Sequence, residues 1–399
     1  MSAFVSLVLM LMHALSRLIT CRFFVAVVIA LTGIPAHAQT AYYPDVQWQT
    51  KKPHEVGMNA ALLDSAVRFA LRNDSKTETD VRMALLKAYA NEPNYQILGP
   101  TRHRGGPAGI IIKNGYVVAS WGDLERVDMC FSVTKSVLST AVGLAFDQKL
   151  IRSVDEPVKN YVWSGEFDSP HSSKITWRHL LTQSSDWSGC QFGICDWADR
   201  PPREGSIDNW KHRTLNEPGT VYEYNDVRVN LLAYALLHVV RQPLPVLWRE
   251  KIMNPIGAST TWRWYGYEHS FVNVDGTQIQ SVSGGGHFGG GLFINTTDLA
   301  RFGLLVSRSG KWKNQQLISE RWLADARVPS AANKTYGFLW WLNVDRWKGV
   351  HPQVFSAEGF GGHFVTIDPV NDLVIVNRWL EPSQAGEFVA RVLRSLDKR

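Results

Sequence analysis

Phe131-Ser132-Val133-Thr134-Lys135-Ser136 is the stretch on which the reading of this chain turns. Only two serines have a lysine three residues later, and the other, Ser395 with Lys398, lies in the charged C-terminal tail. Ser132 follows a β-like run over residues 116–121 and opens an apolar helical pattern over 137–150. Residues three apart share a helix face, so the Ser132 hydroxyl and the Lys135 amine are placed to touch. A serine hydroxyl is a weak nucleophile near neutral pH and needs such a base. Lysine serves only where burial or nearby positive charge favours its neutral form. The free N–H groups and dipole of a helix start favour negative charge, and the N–H of Ser132 is a natural half of an oxyanion hole. Taken alone the pattern is short and common, and a capping serine beside a surface lysine accounts for it better.

The flanking sequence sets the architecture. Residues 58–73 and 81–90 read as amphipathic helices, and Asn114-Gly115 marks a tight turn between β-rich runs over 110–118. Helical patterns then dominate, over 133–150, 177–183, 227–240 and 244–253, and again over 297–307. Strand-like runs return at 336–342, 363–367 and 373–379, followed by a helix over 382–396. Strands at both ends with helices between them predict an α/β lobe from residues 39–131 and 270–399. A helical insertion, 132–269, interrupts it and carries the Ser132 motif.

The first 38 residues read as a secretory signal peptide: Arg17 and Arg22, an apolar run over 23–34, then Ala36-His37-Ala38 with cleavage before Gln39. The run is short for a membrane span, and an uncleaved anchor is the alternative. The expectation is a periplasmic or secreted protein. Removing the two arginines takes the net charge from +6 to +4, and no basic cluster stands out, which argues against nucleic-acid binding. Cys190 and Cys195 are close enough to close a small loop in an exported protein. No further ligands accompany them in a zinc spacing, and no metal or cofactor is expected. Gly284-x-Gly286-x-x-Gly289 matches a dinucleotide pattern by letter only, without strand-turn-helix context. Cys130 reads as a buried strand-end thiol.

Pro218-Gly219-Thr220-Val221-Tyr222-Glu223-Tyr224-Asn225-Asp226 precedes an apolar helix some 90 residues after Ser132. With the S-x-x-K segment, it resembles the serine β-lactamase and penicillin-binding superfamily, and within it the esterase and 6-aminohexanoate-dimer-hydrolase-like branch. The segment 175–187, ending in Ser184-Ser185-Asp186-Trp187, Gly289-Gly290-Gly291, Asp298-Leu299-Ala300-Arg301-Phe302-Gly303 and Ala357-Glu358-Gly359-Phe360-Gly361-Gly362-His363 each resemble stretches of that family. The resemblance implies an antiparallel sheet with flanking helices from both chain ends and an inserted all-α subdomain. It implies Ser132 as nucleophile, Lys135 and Tyr224 as acid-base pair, with Tyr222 the neighbouring alternative. It places Phe360 N–H as the second oxyanion donor on the strand of Gly359.

Two departures bear on substrate. Where the family's β-lactamases and D,D-peptidases carry Lys or His in the third box, this chain has Ala357 followed by Glu358, and where the tyrosine motif ends in Asn it has Asp226. Two acids near an anionic ligand would cost about 1 kcal/mol or more, which argues for esters, amides or cationic substrates. His363 is placed either to hydrogen-bond substrate or to pack on its strand, and Trp187, Trp340 and Trp341 either to wall a pocket or to fill the core. The expected function is hydrolysis of a small ester, amide or peptide. The alternatives are a D,D-carboxypeptidase, a D-amino-acid peptidase or weak β-lactamase, and, from another class, a non-catalytic envelope binding protein.

Overall fold

The computed structural model describes residues 41–201 and 205–397; the expected signal segment, 1–38, lies outside them. Asn114 and Gly115 both have positive φ, 54° and 87°, the conformation a two-residue hairpin turn needs. They join strand Ala108–Lys113 to Tyr116–Trp121. Ala108–Lys113 pairs on its other side with Leu373–Arg378, Ile110 lying opposite Val376. The two ends of the described chain are thereby stitched into one antiparallel sheet of six strands. Its order is Trp341–Leu342, Phe355–Gly359, His363–Asp368, Leu373–Arg378, Ala108–Lys113, Tyr116–Trp121.

Strand side chains alternate between faces, and both faces are covered. Ile111 and Ile375 join Leu63, Ala66 and Phe388 from the helices Ala60–Arg72 and Ala385–Arg394. Ile110, Ile112, Val374 and Val376 face the opposite way, into a larger core shared with helices Val133–Asp147 and Thr296–Ser307. Each such side chain, fully buried, contributes about 2 kcal/mol.

Between the sheet halves lie helices Val133–Asp147, Trp177–Leu181 and Asp226–Val240. The first and last are buried nearly all round, as central helices are. This mainly helical region also holds a hairpin, Cys190–Gln191 with Ile194–Cys195, closed by a Cys190–Cys195 disulfide.

Two expectations change. The stretch 263–282, which the sequence pattern places in no helix or strand, is a long hairpin of Arg263–Val274 and Thr277–Val282. It turns at Asp275-Gly276, where φ is 52° and 83°. It completes a four-stranded sheet with Gly291–Ile294 and Asp128–Met129. Its outward positions carry Arg263, Glu268 and His269, which interrupt the apolar alternation. The run 336–342, expected as a strand, contributes only Trp341–Leu342. Leu339 has φ 59°, which breaks the extended path, while Tyr336, Phe338 and Trp340 fill the core.

Candidate active site

Ser132 opens the helix Val133–Asp147 yet makes no side-chain cap bond. Its hydroxyl is left for another partner, and Lys135 Nζ lies 2.9 Å from Ser132 Oγ. Phe131, just before it, sits at φ 50°, a conformation that costs a non-glycine residue about 1 kcal/mol or more and must be held by packing. The Phe131 ring is gripped by Phe360, His363 and Trp379, with centroids 5.2, 5.6 and 6.2 Å away. The surface-lysine reading is excluded, because Lys135 is 1% exposed.

The buried ammonium has an unusual second shell of charge. Lys135 Nζ donates to Asp226 Oδ1 at 2.7 Å. The other oxygen of Asp226 takes Arg200 Nη1 at 2.7 Å, and Arg200 also pairs with Asp199. Asp199 in turn accepts the backbone N–H of Asp226. Arg200 Nη2 lies 2.8 Å from His287 Nδ1, and the Arg200 backbone N–H donates to Glu92 at 3.2 Å. Burial pushes the Lys135 amine below its ordinary range, Asp226 pulls it back up, and Arg200 pushes it down again. Burial also keeps His287 neutral and lifts Glu92 to about 8. Glu92, Asp199 and His287 bring ligand atoms within 4.8 Å of one another, but Arg200 engages all three and supplies the positive charge a metal would bring.

Glycine makes this arrangement fit. A Cβ on Gly285 would stand 1.8 Å from Asp226 Oδ1 and 2.1 Å from Lys135 Nζ. One on Gly359 would stand 2.3 Å from the Cys130 carbonyl oxygen and 3.3 Å from Ser132 N. The glycine-dense stretch 284–291 is therefore packed against the lysine–aspartate pair, which disposes of the dinucleotide pattern.

Tyr224 precedes Asn225, whose side chain caps helix Asp226–Val240 by accepting the Arg228 N–H. The Tyr224 ring stacks on Trp341 at 5.9 Å and lies under Lys135 Nζ, 4.7 Å from the ring centroid. Burial, then Asp226, push the pKa of its phenol well above the ordinary range, and Ser132 and Arg200 only partly offset them. Tyr224 is thus a phenol, not a phenolate, at neutral pH. Tyr222 packs on Tyr336 at 5.2 Å with its hydroxyl unpartnered.

Ser132, Arg200, Tyr224, Trp341, Gly359 and Phe360 line one open cleft of about 590 Å³, with Lys76 and Tyr89 at its sides. Among the described residues the N–H groups of Ser132 and Phe360 have no acceptor. Glu358 lines the cleft as well, but Arg346 grips both its oxygens at 2.8 and 3.1 Å. Asp226 is likewise neutralised by Lys135 and Arg200. Each of the two acids thus faces a counter-charge, which reduces the repulsion expected of it toward an anionic ligand. Ala357 points into the core.

Two other sequence candidates, His363 and Trp187, lie elsewhere, and Cys130 is the buried thiol expected of it. His363 has no exposed surface and its Nδ1 accepts from Arg378 Nε at 2.7 Å; it packs behind Phe131, away from the cleft. Trp187 is a core residue whose Nε1 donates to the Glu166 carbonyl at 2.8 Å. Cys130 is buried, its thiol pushed up to about 11 by desolvation. Sequence reasoning missed Asp199 and Arg200. The signal was available only indirectly, as a carboxylate at position 226 that a lysine acting as a neutral base would leave without a counter-charge.

The Beta-lactamase family model matches residues 85–377. Two Escherichia coli proteins, of strains O157:H7 and K12, provisionally named D-alanyl-D-alanine carboxypeptidases, are 24% identical over 204 residues, 40% of this chain and 45% of theirs. The match thus spans less than half the length of those relatives. Among solved structures, a family VIII carboxylesterase shows 17% identity and a TM-score of 0.55, covering 85% of this chain and 99% of its own. A Bacillus anthracis protein provisionally named a 6-aminohexanoate-dimer hydrolase shows 15% identity and a TM-score of 0.54, covering 88% and 100%. At these identities the likeness is one of fold.

Proposed function

The chain belongs to the beta-lactamase family, a family of serine hydrolases, and we propose that it cleaves an ester or amide bond through an acyl-enzyme on Ser132. The observation that carries this reading is the 2.9 Å contact between Ser132 Oγ and a wholly buried Lys135 Nζ. Ser132 Oγ attacks the substrate carbonyl carbon while Lys135, neutral at that moment, takes the hydroxyl proton. The N–H groups of Ser132 and Phe360 receive the oxyanion, an interaction worth about 3 kcal/mol per donor in such sites. The proton passes from Lys135 through the Tyr224 phenol to the departing oxygen or nitrogen. Water then attacks the acyl carbonyl while Lys135 takes its proton, and as the C–Oγ bond breaks Lys135 returns that proton to Ser132 Oγ, releasing the acid product and the neutral base.

A second reading, cleavage of a D-alanyl-D-alanine-type peptide, is supported by the match to the Escherichia coli proteins and by the charge balance of the cleft. Arg200 faces Asp199 and Asp226, Arg346 faces Glu358, and Lys76 lines the same cleft, so the acids there meet counter-charges even with Lys135 neutral. The disulfide Cys190–Cys195 supports an oxidising compartment, in keeping with export. A screen with a p-nitrophenyl ester, a linear amide, a D-alanyl-D-alanine peptide and nitrocefin separates the readings. Rapid ester turnover without penicillin labelling supports the first; stoichiometric penicillin labelling and peptide cleavage support the second; no turnover of any of them by folded protein refutes both.

A further inference from the structure

We propose that Arg200 is a positioning residue for the base: by neutralising Asp226 it allows Lys135 to give up its proton and serve Ser132. The proposal rests on the Ser132–Lys135 reading above.

The site holds a conflict of charge. A buried lysine paired at 2.7 Å with a buried carboxylate is held in its charged form, because losing the proton strands the carboxylate in a poorly solvated space. A charged lysine accepts no proton. This chain carries that carboxylate at Asp226, 1% exposed, so something must offset it. Arg200 meets the oxygen of Asp226 that Lys135 does not use, at 2.7 Å. With Arg200 present, a neutral Lys135 leaves Asp226 still paired; without it, Asp226 and Asp199 would both lie buried with no cation.

The charged and titratable groups around Lys135 come from several elements. Asp226 comes from its helix, and Asp199 and Arg200 come from the chain leaving the disulfide hairpin. His287 comes from the glycine stretch, and Tyr224 from the motif before the helix. Tyr89 and Glu92 lie behind Arg200. Burial and Arg200 both lower the Lys135 pKa, while Asp226 and Asp199 raise it. Asp199 is itself pushed up to about 6 by burial.

Arg200 is also held at a conformational cost. Its φ is 51°, a left-handed conformation that persists in a non-glycine residue only when its surroundings fix it. The hydrogen bonds to Glu92, His287 and Asp199 and the charge contact with Asp226 fix it, and they hold the guanidinium 5.1 Å from the Tyr224 ring.

The test is the pH profile of kcat/KM for a p-nitrophenyl ester in wild type, Arg200→Gln, Arg200→Lys, Asp226→Asn and the double variant Arg200→Gln/Asp226→Asn, with Ser132→Ala alongside. Arg200→Gln should move the acid limb up by about 1–2 pH units, lowering the rate below the limb by about 10–100-fold and recovering at high pH. Arg200→Lys should hold the limb near its wild-type position. Asp226→Asn should move it down, and the double variant should bring it back toward wild type. A uniform loss at every pH in Arg200→Gln, or a double variant no better than the single, overturns the proposal. If Arg200→Gln does not fold, Asp226→Asn decides alone, and an unmoved limb there overturns it. Retained turnover in Ser132→Ala overturns the Ser132 reading and the proposal with it. Loss in Ser132→Ala with an unmoved limb in the Arg200 and Asp226 variants overturns only the proposal.

Discussion

Gly285 and Lys135 approach so closely that a methyl group on the glycine would lie 2.1 Å from the lysine nitrogen. The contact is not to the flexible end of a surface chain but to a buried ion pair, with Asp226 Oδ1 closer still at 1.8 Å. Gly285→Ala should therefore part Lys135 from Asp226 and displace the base. We expect kcat/KM for a p-nitrophenyl ester to fall by about 100-fold or more, since misplacement of a reacting group by about 1 Å costs that much. Circular dichroism at room temperature should stay native. Activity within threefold of wild type would show that the pair is not where the chemistry depends on it.

Tyr224→Phe removes the phenol while leaving the ring stacked on Trp341. A proton donor to the leaving group contributes about 10²–10⁴-fold, but only where the leaving group needs a proton. p-Nitrophenolate does not, whereas an alkoxide or amine does. The variant should lose at least about tenfold more activity on an alkyl ester than on the p-nitrophenyl ester. Equal losses on both would assign Tyr224 to packing or orientation.

Asp186 ties the segment that carries Tyr224 to the rest of the insertion. Its carboxylate takes Arg213 Nη1 at 2.8 Å, Arg228 Nη2 at 3.0 Å and the Asn216 backbone N–H at 2.6 Å. Burial alone would raise its pKa, but these partners outweigh it and hold it down at about 2, against an ordinary 3.8. A folded-state pKa below the unfolded one stabilises the fold above the unfolded value, and that stability is lost as pH falls through the folded one. Urea midpoints should therefore drop between about pH 4 and pH 2 in wild type. Asp186→Asn should lack that component and be less stable at pH 7. Parallel curves for the two proteins would contradict the assignment.

The disulfide hairpin leads directly into Asp196, Asp199 and Arg200. A loop this short contributes about 2 kcal/mol by restricting the unfolded chain. Cys190→Ser/Cys195→Ser should lower Tm by a few degrees. It should also lower kcat/KM at temperatures where the protein is still folded, because Arg200 loses its anchor. Lost stability with unchanged activity would limit the disulfide to a structural role.

Much of this was legible in the chain. Ser132 and Lys135 stand three apart at a helix start, so a local rule reaches both, whereas Tyr224 came only through the family resemblance, with Tyr222 as its neighbour. The Asn114-Gly115 turn is equally local. The Asp275-Gly276 hairpin carried the same turn signal, but its outward charges hid the strands beside it. His363 and Trp187 could not be placed, because which face of a strand or loop meets the core depends on register with distant partners. Arg200 is the extreme case: it reaches Asp226, His287 and Glu92 only through the closed hairpin and a left-handed backbone, none of which a single sequence displays.

The central claim is a covalent acyl-enzyme on Ser132, and intact-protein mass spectrometry after a fluorophosphonate probe, followed by peptide mapping, tests it most directly. One adduct per chain is expected, carried by the peptide containing Ser132 and lost in Ser132→Ala with the fold retained. An adduct on another residue, or folded wild-type protein that takes up no probe, would contradict it.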